Sequence, residues 1–265
     1  MCSSDLGVPV EEFVVRLRDA GLSSLPGTAA EVLDDDVRRI ICPDKVTTAE
    51  WVRVQEAAAA AGLRSNATIM FGHVDGPAHW ANHLEVVRGL QLRTGHLTEF
   101  VPLPYVHMGA PLYLRGEGRP GPTWDEVLLM HAVARLALQG LVDNIQVSWV
   151  KLGIEGARAC LRAGCNDLGG TLMNESISRS AGASHGQEMP PTAMEELIRS
   201  EGRTPLMRTT LYDTAPPERR SAAHAAEPLR EREPGRLARL PPHEIRTPPP
   251  RFRGDPGQPR PLSSG

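Results

Sequence analysis

Apolar positions recur along the chain with two alternating periods. From Glu11 to Ala20, Phe13, Val14, Leu17 and Ala20 fall near helical spacing, and Gly21 ends the run. A short extended segment, Leu22 to Pro26, follows. Thr28 with Glu31 then reads as a capping box, which predicts a helix from Ala29. Thr47 or Thr48 caps a helix that runs to Ala61 before Gly62. Asn66 to Phe71 reads as a strand, Pro77 to Arg93 as a helix, and Glu99 to Val106 as a buried strand. Thr123 caps a helix to Gln139, and Ile145 to Val150 reads as a strand. Glu155 to Ala163 is a short helix stopped by Gly164. Asp167 to Met173 is a last strand, and Asn174 caps the helix after it.

Strands that alternate with helical crossovers predict a parallel sheet and an α/β fold. The nucleotide fingerprint G-x-G-x-x-G of a doubly wound sheet is absent. Polar residues gather instead where strands end: Gly72-His73, His107-Met108, Lys151 and Gly169 to Thr171. In a (β/α) barrel the C-terminal strand ends carry the chemistry. About five strands are visible where a barrel needs about eight, so the expectation is a barrel portion whose first strands are missing.

Composition divides the chain in two. Residues 214–265 hold 12 of the 24 prolines and only 6 Leu, Ile, Val or Phe, below the roughly 20% of a packed core. The expectation is a body over 1–213 and a disordered Pro/Arg-rich tail over 214–265, with a Pro-rich docking ligand as the sharper reading. Ten arginines against six acids leave the tail at +4, and a total of −3 leaves the body at −7. An acidic body argues against nucleic-acid binding. No apolar run reaches the roughly 18 residues that would suggest a membrane span, and the first residues lack the charge and apolar pattern of a signal peptide. The cytoplasm is the expected compartment. Cys2, Cys42, Cys160 and Cys165 do not read as a disulfide framework.

Five segments carry a resemblance. They are Leu25–Leu33 (LPGTAAEVL), Met70–Val74 (MFGHV), Thr98–Met108 (TEFVPLPYVHM), Ile145–Gly153 (IQVSWVKLG) and Asn166–Arg179 (NDLGGTLMNESISR) running on to His185–Gln187. In this order and spacing, over about residues 7–212, they resemble the tyrosine-using subunit of deazaflavin chromophore synthase. That radical S-adenosylmethionine family serves coenzyme F420 biosynthesis, and the same module forms the C-terminal half of a bifunctional synthase. The resemblance implies the C-terminal portion of a radical S-adenosylmethionine TIM-type barrel. It also implies a 4Fe–4S cluster and S-adenosylmethionine as cofactors. The family's cluster cleaves S-adenosylmethionine to a 5′-deoxyadenosyl radical, which fragments L-tyrosine. The 4-hydroxybenzyl group is then joined to 5-amino-6-(D-ribitylamino)uracil. The partner is a second synthase subunit or a fused domain.

The C-x-x-x-C-x-x-C motif that binds the family's cluster is absent from the sequence. The chain is therefore expected to be the C-terminal part of a larger enzyme, without cluster ligands of its own. Two alternatives stand beside the transferase. One is the related radical enzyme of the futalosine route to menaquinone; the other is a non-catalytic fragment.

The candidate substrate-binding residues follow from strand ends and register. His73 is either a substrate partner at the barrel mouth or a turn residue bonded to backbone. Glu99 is costly in an apolar strand unless paired, with a substrate amine or with an arginine. His107 lies where its strand turns outward. Gln146 and Ser148 share one face of their expected strand, with Lys151 at its exit, and suit a uracil, ribityl hydroxyls and a carboxylate. Asn166, Asp167 and Thr171 flank paired glycines that allow close approach of a ligand. Glu175 belongs to the following helix, where it is a ligand or simply the partner of Arg179.

Overall fold

The computed structural model describes residues 7–172 and 177–227. Its sheet has four strands, β1 (Ser24–Leu25), β2 (Arg64–Phe71), β3 (Leu97–Pro104) and β4 (Asn144–Ile145), in the spatial order β1-β2-β3-β4. Every neighbouring pair is parallel. α1 (Val10–Asp19) precedes β1. α2 (Asp35–Ile41) and α3 (Thr48–Ala60) cross from β1 to β2, and α4 (Pro77–Thr94) from β2 to β3. α5 (Pro111–Leu114) and α6 (Trp124–Ala137) lead to β4. α7 (Trp149–Arg162), α8 (Ile177–Ser180), α9 (Pro191–Ser200) and α10 (Pro217–Ala225) follow. Strictly sequential order has no reversal of the kind a doubly wound sheet needs. It is the order of an arc of a (β/α) barrel.

β2 shows why the sheet has two unlike faces. Ser65, Ala67, Ile69 and Phe71 are buried, while Asn66, Thr68 and Met70 are half-buried. Ala67, Ile69, Phe71, Phe100 and Ile145 pack with Trp80, Leu84, Val87 and Leu90 of α4 in the main core. The other face carries polar groups. Local signals start the helices as expected: Thr47 with Glu50 and Thr123 with Glu126 each form a complete capping box.

Three expectations fail for identifiable reasons. No helix starts at Ala29. Ala29 and Glu31 have φ of 66° and 45°, and the segment runs irregularly until Asp34 caps α2 through the N–H groups of Asp36 and Val37. The guanidinium of Arg38, buried among carbonyls, collects the backbone oxygens of Ala29, Ala30, Val32 and Val46, and Met70 N–H donates to Glu31 O at 2.8 Å. These carbonyls are spent outside any helix.

The expected strand Ile145 to Val150 stops at Ile145, and α7 begins at Trp149 with the Ser148 carbonyl accepting from Lys151 and Leu152 N–H. Val147, Trp149 and Val150 are buried all the same, and an apolar run cannot distinguish a strand from a buried helical turn. Gly153, at φ 69°, separates that first turn from the body of α7. The expected fifth strand contributes one parallel bridge, Gln146 to Asp167, and the rest of Asp167 to Met173 is not strand among the described residues. The cap assigned to Asn174 lies outside the described residues.

Within the stretch expected to be tail, α10 is described, and its His224 ring nitrogen lies 2.9 Å from Glu195 of α9. Thr214 bridges Arg208. Among the described residues no helix is long and apolar enough to cross a membrane.

Candidate functional site

The polar face of the sheet holds a closed ionic network near the strand N-termini. Glu99 is the third residue of β3, and its Oε1 accepts from Asn66 Nδ2, the third residue of β2, at 2.9 Å. Its Oε2 accepts from the Tyr212 hydroxyl at 2.6 Å and faces Arg208 Nη2 at 3.5 Å. Arg208 also grips Asp167 with both Nε and Nη2, the latter at 3.1 Å, and its guanidinium stacks 4.0 Å from the Tyr212 ring centroid. Asp167 Oδ1 further accepts from Gly169 N–H at 2.6 Å. Burial, with Asp167 and Glu99 beside it, pushes the Tyr212 hydroxyl above the ordinary phenol value, so it stays protonated and donates. Glu99 therefore has the arginine partner that its burial demands.

Along the last pairing edge lies a cleft of about 790 Å3, between Gln146, Gly169 to Thr171, α9 and the segment 203–212. It brings together Gln146, Asn166, Asp167 and Thr171. A Cβ on Gly169, at φ 71°, would meet the Gln146 amide nitrogen at 2.4 Å, so the glycine lets that side chain lie flat against the backbone. Asn166 is spent on the scaffold: Oδ1 accepts from Ile145 N–H at 2.9 Å and Arg135 Nη2 at 2.7 Å, and Nδ2 donates to Asp143 O at 3.1 Å. The Thr171 carbonyl accepts from Met189 N–H at 3.1 Å.

His73, at the C-terminal end of β2, is 1% exposed. Its Nδ1 accepts from Val74 N–H at 2.7 Å, which makes Nε2 the protonated nitrogen, donating to Met70 O at 2.9 Å. Burial lowers its pKa against the pull of Asp75, so the ring is neutral and both nitrogens serve the turn. Ser148 is buried at the start of α7, out of the register that paired it with Gln146. His107 and Lys151 line a separate cavity of about 170 Å3 beside Tyr105 and His185. Glu175 lies outside the described residues.

The nine described candidates thus fall into different places rather than one pocket. Sequence reasoning missed Arg208 and Tyr212, whose one signal was the unpaired charge of Glu99. It also missed Tyr105, whose hydroxyl is buried without a hydrogen-bond partner, and Arg119. Arg119 Nη1 holds both Glu126 oxygens, at 2.8 and 2.7 Å, while Nε and Nη2 are buried without partners.

Among the described residues, no group of three or more His, Cys, Asp or Glu could hold a metal ion. Cys42, Cys160 and Cys165 are all buried. A 4Fe–4S cluster needs three thiolates on one exposed loop to keep its fourth iron open, so these residues do not fit one.

Sheet order places the chain in the α/β class, with four parallel strands in the sequential order of a portion of a (β/α) barrel. Residues 94–220 match the model of the CofH/MqnC C-terminal region. It is 51% identical over 203 residues to the 5-amino-6-(D-ribitylamino)uracil–L-tyrosine 4-hydroxyphenyl transferase of Methanothermobacter thermautotrophicus, covering 77% of this chain and 55% of that protein. The same-named transferase of Methanopyrus kandleri is 48% identical over 212 residues, covering 80% and 58%. The FO synthase of Mycobacterium leprae is 50% identical over 206 residues, covering 78% of this chain and 24% of that protein. The chain spans a quarter to just over half of the length of these relatives.

Proposed function

We propose that this chain supplies the C-terminal βα units of a radical S-adenosylmethionine barrel. The whole enzyme joins the 4-hydroxybenzyl group of L-tyrosine to 5-amino-6-(D-ribitylamino)uracil in deazaflavin biosynthesis. The observation that carries this reading is the 51% identity, over 203 residues, to a transferase named for those two substrates. The cluster and S-adenosylmethionine are assigned to a barrel portion other than this chain, whose described cysteines do not fit a cluster. That portion is a fused domain or a partner subunit.

The residues of this chain then bind and orient. The cleft beside Gln146 and Gly169 to Thr171 offers an amide side chain and close backbone approach, which suits the carbonyls and N–H groups of a uracil and the hydroxyls of a ribityl chain. Asp167, Arg208 and Tyr212 line this same cleft, and their network with Glu99 holds its wall in place.

A chimera tests the assignment. The matched segment of the Methanothermobacter transferase is replaced by this chain, and the protein is supplied anaerobically with tyrosine, S-adenosylmethionine and the aminouracil. The reading expects the tyrosine-derived adduct of the aminouracil by mass spectrometry. A folded chimera that never forms it, where the parent does, refutes the assignment.

A further inference from the structure

The last turn of α7 brings two cysteines together. α7 ends at Arg162, Ala163 caps it, and Gly164, at φ 115°, turns the chain back. Gly164 N–H donates to Leu161 O at 3.3 Å and Cys165 N–H to Cys160 O at 3.0 Å. These are the two bonds of a Schellman cap, which sets the third residue before the cap against the second residue after it. Here those two residues are Cys160 and Cys165. Both are fully buried in the main core, and the Cys165 thiol hydrogen-bonds the Cys160 sulfur. Cys42 sits apart from them, with Arg38, Glu31 and Lys45 as its charged neighbours.

The pair is polarised in one direction. The hydrogen bond from Cys165, with His131 of α6 within reach, draws the Cys160 thiol below its ordinary value against the opposing effect of burial. The same bond, together with burial, pushes Cys165 up. A thiolate is the reacting form of cysteine, so Cys160 is the nucleophile and Cys165 the thiol that follows. Both neighbours in the chain, Leu161 and Asn166, line the large cleft, so the cap stands one residue from open space. Arg203, also in that lining, donates to the carbonyls of Leu161 and Cys165, the latter at 2.6 Å. The cysteine cap is thereby part of the cleft wall.

We propose that Cys160 and Cys165 form a redox-active dithiol, which a hydroperoxide closes to a disulfide across the C-terminal cap of α7. The Cys160 thiolate attacks the peroxide: an S–O bond forms, the O–O bond breaks, and the leaving oxygen takes up a proton. The Cys165 thiol then attacks the sulfenic sulfur. The S–S bond forms, the S–O bond breaks, and water leaves with the thiol proton. The peroxide gains the two electrons that the two sulfurs lose, and an added thiol reopens the bond by exchange. This chemistry is independent of which substrate the cleft takes.

Peptide mapping of the 265-residue chain tests it. The reduced protein is treated with hydrogen peroxide at neutral pH, unfolded, blocked with iodoacetamide and digested with trypsin. Trypsin cuts after Arg162, between the cysteines, so a disulfide holds peptides 159–162 and 163–179 together. The expected result is that linked pair, lighter by two hydrogens than the sum of its parts and absent when dithiothreitol precedes the blocking. Cys165→Ser should stop at the Cys160 sulfenic acid, trapped by dimedone. Cys160→Ser should carry about tenfold less of that label on Cys165. The wild-type map decides the matter if either variant fails to fold. Both thiols still alkylated after peroxide, a disulfide to Cys2 or Cys42 in place of the linked pair, or equal dimedone labelling of the two folded variants overturns the proposal.

Discussion

Arg208 is the residue on which the polar face depends. It neutralises two carboxylates, half-buried Glu99 on β3 and buried Asp167 in the segment bridged to Gln146. Removing one partner of a buried pair leaves an uncompensated charge, so Arg208→Met should destabilise the fold by about 3–5 kcal/mol. Tyr212→Phe removes one hydrogen bond to the same carboxylate and should cost about 2 kcal/mol. Urea denaturation of the three proteins measures both, and equal midpoints would contradict the network's role. The buried histidines set a pH dependence. Burial, with Arg38 nearby, lowers the pKa of His83 to about 3, and burial with Arg64 lowers that of His96 to about 4, from the ordinary 6.5. The unfolded chain takes up these protons near pH 6.5 while the folded protein refuses them. Their contribution is full above pH 6.5 and is lost as the pH falls towards 4 and then 3. Histidine NMR titration should show both rings still neutral at pH 5, where denaturation midpoints have already dropped; a ring protonating near 6.5 would contradict this.

At the scale of elements, the sequence was legible where the signal is local. The caps at Thr47 and Thr123 place helix starts without reference to the rest of the chain. The same signature misled at Thr28, because its helix loses to a distant competitor: Arg38 draws the carbonyls of 29, 30 and 32 away from helical geometry. Asp34→Ala should therefore cost about 1 kcal/mol as the loss of a true cap, while Thr28→Ala, exposed, should stay within about 0.5 kcal/mol. Thermal melts of the two variants check this, and a larger loss at Thr28 would restore the helix to Ala29. The strand expected over 145–150 failed for a different reason. Its apolar residues are buried as expected, but Trp149 starts a helical turn and Ser148 turns with it. Gln146 kept its place beside Gly169 because it still pairs with Asp167. Glu99 and Arg208 stand 109 positions apart, and no local pattern announces a partner at that range.

For the whole molecule, the arc of parallel strands and the polar strand ends were readable from alternation, and the family from five segments in order. Among the described residues no group of His, Cys, Asp or Glu is placed to hold a metal ion. Anaerobic iron–sulfur reconstitution of the 265-residue chain should yield no four-iron stoichiometry, and four irons per chain would give Cys160 and Cys165 a role that their burial and spacing argue against. If this chain serves the proposed transferase, the ring carbons of tyrosine must appear on the aminouracil. Ring-labelled 13C6-tyrosine supplied to the chimera with the aminouracil measures this most directly. The expected product is an adduct heavier by about six mass units than the unlabelled one, carrying the intact 4-hydroxybenzyl ring. Tyrosine consumed with every labelled carbon in free phenolic fragments, and none on the aminouracil, would contradict it.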